Sequence, residues 1–257
     1  MTLALEDLVV RFNRKEKILH SVPINRIFYR GERIAILCTN RRIRDELLAS
    51  IYGLVQPVSG FVSQKGVVSW PLGLKGGLDG KLTLAQNMRF LGTLYEDKLV
   101  PLNLDKFLNS FLDLAGLSPQ SRLKDLKSRE QKIFYMVVAL AFSFDVFLVP
   151  SAQFLMGSEK DKAIQYFRNV FEARIEQKTL ISTSGNKKFL RDFCNKGFAI
   201  DSIGQQTFNG SLDECLEWMK SSSNQAEAID DDDLIDESLF SVDLSNDDNQ
   251  SEFLEII

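Results

Sequence analysis

The chain is predicted to fold as an α/β protein: a mostly parallel sheet joined to a small antiparallel β subdomain and a helical subdomain. Three observations carry this. Two short apolar runs, Arg33-Ile34-Ala35-Ile36-Leu37-Cys38 and Val146-Phe147-Leu148-Val149, have the make-up of strands buried on both faces, and Thr179-Leu180-Ile181-Ser182 and Gly197-Phe198-Ala199-Ile200 read as two more strands. Segments with helical spacing separate them, and strands alternating with helices imply parallel crossovers. The 257 residues are 44% apolar and 26% charged, which suffices for one large core or two small ones.

Along the chain, Leu3 to Phe12 alternates loosely as a strand and Ile18 to Ile24 reads as a second, predicting a small antiparallel sheet. The strand at 33–38 follows a Gly-Glu turn and leads through Thr39-Asn40-Arg41-Arg42 into a helical pattern, Ile43, Leu47, Leu48 and Ile51, that stops at Gly53. Strand, loop and helix within about twenty residues is the layout of a phosphate-binding unit. After Pro57, residues 60–70 predict two short strands, and 72–81 form a glycine-dense loop with Gly73, Gly76, Gly77 and Gly80. Thr83 is placed to cap a helix with Leu84, Met88, Leu91 and Leu94 on one face, and Leu104–Leu114 predicts another, ended by Gly116. Ser128-Arg129-Glu130-Gln131 opens a long apolar helix over Ile133–Phe142, ahead of the strand at 146–149. A helix from Lys160 to Glu176, the strand at 179–182, a helix near Phe189 and the strand at 197–200 complete the alternation.

Charge is unevenly spread. The formal net charge is −4, but all 31 basic residues and only 23 of the 35 acidic ones lie in residues 1–220, a formal +8, while twelve acids and no base follow Lys220. A basic globular body at 1–220, with a helical subdomain at about 84–145, therefore precedes an acidic tail at 221–257, expected to be disordered when free. Short apolar pieces, among them Leu239-Phe240 and Phe253-Leu254, punctuate the tail, so it either solubilises or docks on a basic surface, a partner's or the body's own arginine loop. Cys38, Cys194 and Cys215 have no paired spacing and His20 is the only histidine, which argues for a reduced, cytosolic compartment and against a metal cluster. Glu6 and Asp7 come before any apolar stretch of signal-peptide length, so secretion is not expected. The apolar run Ile133–Val149 falls short of the roughly 18 residues of a membrane span and contains Asp145; it reads as a buried helix entering a buried strand.

The most specific string is Val68-Ser69-Trp70-Pro71-Leu72-Gly73-Leu74-Lys75-Gly76-Gly77-Leu78-Asp79-Gly80-Lys81-Leu82-Thr83, followed by Gln86-Asn87-Met88-Arg89-Phe90. It resembles the SWPxGLxGG…LTGxEN segment of ABC-transporter ATP-binding subunits in the branch that exports capsular polysaccharide and O-antigen, with Leu84 and Gln86 replacing that motif's Gly and Glu. The likeness covers roughly residues 3 to 218 and implies a P-loop NTPase-like fold. It also implies that Trp70, Leu72, Leu74, Leu78, Leu82 and Met88 lie beside the groove receiving a cytoplasmic helix of a membrane-spanning partner.

The nucleotide site implied by the same resemblance is degenerate. A phosphate loop needs glycines that turn backbone N–H groups toward phosphate, a Lys, and a hydroxyl for Mg²⁺. Cys38, Thr39, Asn40, Arg41, Arg42, Ile43, Arg44 and Asp45 stand at those positions, with no glycine, with Arg41 and Ile43 where close backbone approach is required, and with Asp45 at the hydroxyl. A carboxylate ~4 Å from phosphate costs about 4 kcal/mol at an effective dielectric of ~20. The apolar strand that should end in Asp-Glu ends in Pro150-Ser151, and the SGG-type turn reads Ser128-Arg129. The switch histidine is Thr183, and Phe12 alone keeps the position of an adenine-stacking aromatic. No catalytic residue, metal or bound ATP and Mg²⁺ is therefore expected. The expected role is a catalytically inactive ATPase-like subunit or regulator of a polysaccharide exporter at the cytoplasmic face of the inner membrane. Its partners would be a permease, an active ATP-binding subunit or a second copy of the chain. The alternative is a divergent nucleotide- or polyanion-binding protein, a possible anionic polymer held by an Arg41/Arg42/Arg44 clamp. No nucleic-acid motif is present.

Overall fold

The computed structural model describes residues 1–14, 17–96, 104–152, 155–156 and 162–223. The N-terminal part holds β1 (Leu3–Val9), β2 (Arg11–Arg14), β3 (Lys17–His20) and β4 (Ile24–Phe28), followed by β5 (Arg33–Cys38), α1 (Arg41–Tyr52) and β6 (Ser59–Gln64). A helical stretch follows with α2 (Leu84–Leu94), α3 (Leu104–Ala115) and α4 (Ser128–Leu140). The C-terminal part alternates β7 (Val146–Val149), α5 (Lys162–Ile175), β8 (Thr179–Ser182), α6 (Lys187–Phe193), β9 (Lys196–Ile200), β10 (Gln206–Ser211) and α7 (Leu212–Ser223).

Strands β9, β5, β8 and β7 are parallel neighbours with β5 inside, and β10 closes the β9 edge antiparallel. Period-two alternation sends successive side chains of these strands to opposite faces. Ile34, Ile36, Val146, Leu148, Ile181, Phe198 and Ile200 join one core with the antiparallel sheet β4-β1-β6 and the inner face of α1. Ala35, Leu37, Phe147, Val149, Leu180 and Ala199 join the other, packed under helices α2 to α7. Both faces are thus covered, which is why apolar residues occupy consecutive positions inside the runs rather than alternating with polar ones. In the helical core, Phe111 stacks on Phe167 with centroids 4.2 Å apart, and Phe171, Phe189 and Phe193 form a second ring cluster.

The antiparallel part differs from the sequence expectation. Leu3–Phe12 falls in two strands that part at Val10, and β1 itself bulges: its register shifts between Leu5 and Leu8, where Asp7 takes φ 47°. Gly60 accommodates that bulge, since a Cβ there would lie 2.1 Å from the Asp7 carbonyl oxygen. Ile18–Ile24 also divides, between the β2–β3 hairpin and β4. Of the two strands expected after Pro57, only β6 forms; Val68 contributes a single bridge to Val146. Strand β10 and helix α7 were not anticipated, and α7 takes in the first three residues assigned to the tail; residues 224–257 lie outside the described residues. The run Ile133–Val149 is the end of α4, a short turn and β7, and no described helix is long and apolar enough to cross a membrane.

A buried carboxylate joins the two sheets. Glu32, just before β5, accepts from Arg26 of β4 at 2.6 Å, from Lys196 of β9 at 3.0 Å and from the Tyr29 backbone N–H at 3.0 Å.

Candidate functional site

Strand β5 and helix α1 are separated by only Thr39 and Asn40. Asn40 is extended, at φ −112° and ψ 107°, and its side chain accepts the Arg42 N–H as an N-cap. Its amide nitrogen donates to the Ser202 carbonyl at 3.1 Å, fastening the junction to the β9–β10 turn. Among the described residues, the only non-glycine positions with positive φ are Asp7 and Gln177, so the junction contains no left-handed backbone. The helix therefore begins directly behind the strand, and an amide that would face an anion at its start is already paired with a side chain.

The side chains of this junction are also paired internally. Asp45, 2% exposed, accepts from Arg44 Nε at 2.9 Å and lies 3.6 Å from Arg41 Nε. Its carboxylate faces two guanidiniums, where the sequence suggested only a repelling charge. Arg42 donates to the Asn13 carbonyl, bracing α1 against the β2–β3 hairpin. Arg44 Nη2 is buried without a partner among the described residues. Ile43 is fully buried in the core shared with β5. Cys38 donates to the Asn40 carbonyl at 3.1 Å, and burial pushes its thiol up to about 12, outside nucleophile range. Phe12 is 4% exposed and belongs to the same core, so its ring is packed rather than offered to a ligand.

The remaining predicted positions fall on the ends of other elements. Pro150 is buried and Ser151 half-buried just past β7. Thr183 follows β8; its N–H and the Ser182 hydroxyl both donate to the Val149 carbonyl, at 3.1 and 3.0 Å, and its own hydroxyl is buried without a partner among the described residues. The ends of β7 and β8 are thereby tied together, with no carboxylate in either tie. Ser128 is the first residue of α4, Lys127 is its N-cap, and Arg129 is exposed. Among the described residues no group of His, Cys, Asp and Glu could hold a metal ion.

The glycine-dense segment requires a correction. Trp70, Leu72, Leu74, Leu78 and Met88 are buried in this chain's own core and Leu82 is half-buried, so they do not present a partner surface. A loop this rich in glycine has few side chains to hold it, and its large apolar ones are spent on anchoring. Trp70 packs edge-on against Phe142 and Phe144, with Gly76 lying against the indole at φ 56°. Asn87 secures the loop further, accepting the Asp79 N–H at 2.8 Å and donating to its carbonyl at 2.9 Å. The open apolar residues of the segment are Phe90, 52% exposed, and Leu94, 62% exposed, one turn apart on α2. Leu94 had been expected inside. Its helical spacing with Leu84 and Leu91 gave no sign that the core ends one turn earlier.

No protein-family model matches the chain. The polysialic acid transport ATP-binding protein KpsT of Escherichia coli is 28% identical over 193 residues, 75% of this chain and 86% of that one. The capsule polysaccharide export ATP-binding protein CtrD of Neisseria meningitidis serogroup B is 24% identical over 204 residues, 79% of this chain and 90% of CtrD. Among solved structures, an ATP-binding subunit of an ABC transporter superposes with a TM-score of 0.65 at 16% identity, covering 86% of this chain and 94% of that one.

Proposed function

We propose that this chain, whose fold is that of the ABC ATPases and whose sequence relatives are ATP-binding proteins of capsule polysaccharide export, is a catalytically inactive subunit or regulator of such an exporter. It acts through protein contacts at the cytoplasmic face of the membrane. The observation that supports inactivity is the β5–α1 junction, closed by the Asn40 cap and by Asp45 between Arg41 and Arg44. A backbone nest for triphosphate needs open N–H groups, and hydrolysis needs a carboxylate at the end of β7, where Pro150 and Ser151 stand. Calorimetry with ATP and Mg²⁺ is expected to give no binding heat, and phosphate release to match the protein-free rate. Stoichiometric turnover by a clean preparation would overturn the proposal.

The partner is a membrane permease, an active ATP-binding subunit, or both, and the contact includes the exposed face of α2. Phe90→Asp with Leu94→Asp is expected to change unfolding free energy by less than about 0.5 kcal/mol, as for surface positions, and to abolish co-isolation with the permease. Retained co-isolation would move the interface elsewhere. A second reading, an anion clamp at Arg41, Arg42 and Arg44, is favoured by Arg44 Nη2, which has no partner among the described residues. Inorganic pyrophosphate raising the melting temperature of the intact chain would support it over the first.

A further inference from the structure

Strand β3 is exposed at all four of its residues and, among the described residues, pairs with β2 on one side only. It shows solvent two large apolar side chains, Ile18 at 63% and Leu19 at 37% exposure. Around it stand exposed cations: Arg11 and Lys17 on the hairpin, and Arg41 and Arg42 at the start of α1, held to the hairpin through the Asn13 carbonyl. Among the described residues, the acids on this face are Asp45, buried between Arg41 and Arg44, and Glu46, half-buried beside Arg11. An unpaired edge strand with apolar residues and a cationic rim suits an acidic segment spaced by apolar pairs.

The chain carries such a segment. Residues 224–257 hold twelve acids, no base, and the apolar pieces Leu234-Ile235, Leu239-Phe240, Phe253-Leu254 and Ile256-Ile257. It also starts at the right end of the molecule. The Leu212 N–H donates to the Asn195 carbonyl, and a Cβ on Gly197 would meet Cys215 at 2.3 Å, so α7 advances alongside β9 toward Ile200. From Cys215 to Ser223 the helix climbs ~12 Å, about the remaining length of the strand. It thus ends near the sheet edge where Ser202 accepts from Asn40. By coil statistics, 34 residues correspond to a root-mean-square span of ~30 Å, a length that can reach the hairpin from there.

We propose that the acidic tail, residues 224–257, docks in cis on the face formed by β3 and the start of α1. Its carboxylates meet Arg11, Lys17, Arg41 and Arg42, and its apolar pairs cover Ile18 and Leu19. This stands independently of the export reading. The test is photocrosslinking in the full-length chain with benzoylphenylalanine at Phe240 or, separately, at Phe253. Crosslinks within one chain to residues 11–20 and 41–44 are expected at about 0.05 M salt, with yield falling at least ~5-fold at about 0.5 M, where charge is screened within a few ångströms. Arg11→Glu with Lys17→Glu, which leaves α1 intact, is expected to cause the same fall. In a second full-length variant, with the tail's acids replaced by Asn and Gln, later elution from an anionic column is expected. Crosslinks elsewhere on the body, crosslinks between chains, absence of crosslinks, salt-independent yield or unchanged elution would each overturn the proposal.

Discussion

Replacing Asp45 with alanine is expected to lower the unfolding free energy by about 2–4 kcal/mol, and adding Arg44→Met to the same chain is expected to restore most of that loss. The Asp45 carboxylate is almost fully buried and holds the Arg44 guanidinium at 2.9 Å. The Arg44 side chain is only 15% exposed and Nη2 has no partner among the described residues, so removing the carboxylate strands a cation that water cannot fully rescue. Methionine keeps much of the aliphatic bulk and removes that charge. Arg41, at 44% exposure, needs no compensating change because solvent takes over its pairing. Urea unfolding of the three variants at neutral pH decides the matter. Equal losses in the single and double variants would show that Asp45 contributes packing rather than charge balance.

That result bears on how much of the site could be read from the chain. The loss of glycines at 38–45 and of carboxylates at 150–151 is visible in the letters alone, because the chemistry depends on residue type at fixed spacing. What Asp45 does is less visible: Arg41 and Asp45 stand four apart on α1, a spacing that allows an ion pair, but the letters do not show that the carboxylate is buried. The same limit explains the misplaced partner surface. Trp70 and Leu72 look like contact residues in a glycine-rich loop, yet the bridge from Val68 to Val146 and the bond from the Leu72 N–H to the Leu148 carbonyl draw that loop into the body.

The strands at 146–149 and 179–182 match the sequence reading residue for residue: the first is apolar throughout, and the second carries Leu180 and Ile181 between Thr179 and Ser182, whose buried hydroxyls donate to the Tyr29 and Val149 carbonyls. Strand β10 was invisible for the opposite reason: Gln206-Thr207-Phe208-Asn209-Gly210-Ser211 is a largely exposed edge with little apolar pattern. Helix α7 did leave a signal, Leu212, Cys215, Leu216 and Met219 at helical spacing, which the charge change after Lys220 obscured.

Glu32 is where the largest effect outside the site is expected. Glu32→Ala should cost about 3–5 kcal/mol at neutral pH, the usual loss when one partner of a buried ion pair is removed. It leaves Arg26, at 12% side-chain exposure with Nε already unpartnered, without its anion between the two sheets. The cost also depends on pH. Burial alone would raise the Glu32 carboxyl, but the Tyr29 N–H, Lys196 and Arg26 together outweigh it and hold the group below its ordinary value of 4.5. A carboxylate with a depressed folded value stabilises fully above the unfolded value, and that stabilisation is lost as pH falls through the folded one. Glu32→Gln carries no titrating carboxyl there, so the gap in stability between wild type and this variant is expected to be widest near pH 7 and to shrink below about pH 4.5. Denaturant unfolding at a series of pH values measures that gap directly. A gap that stays constant down to pH 3 would mean that the Glu32 charge does not join the sheets and that side-chain shape alone does.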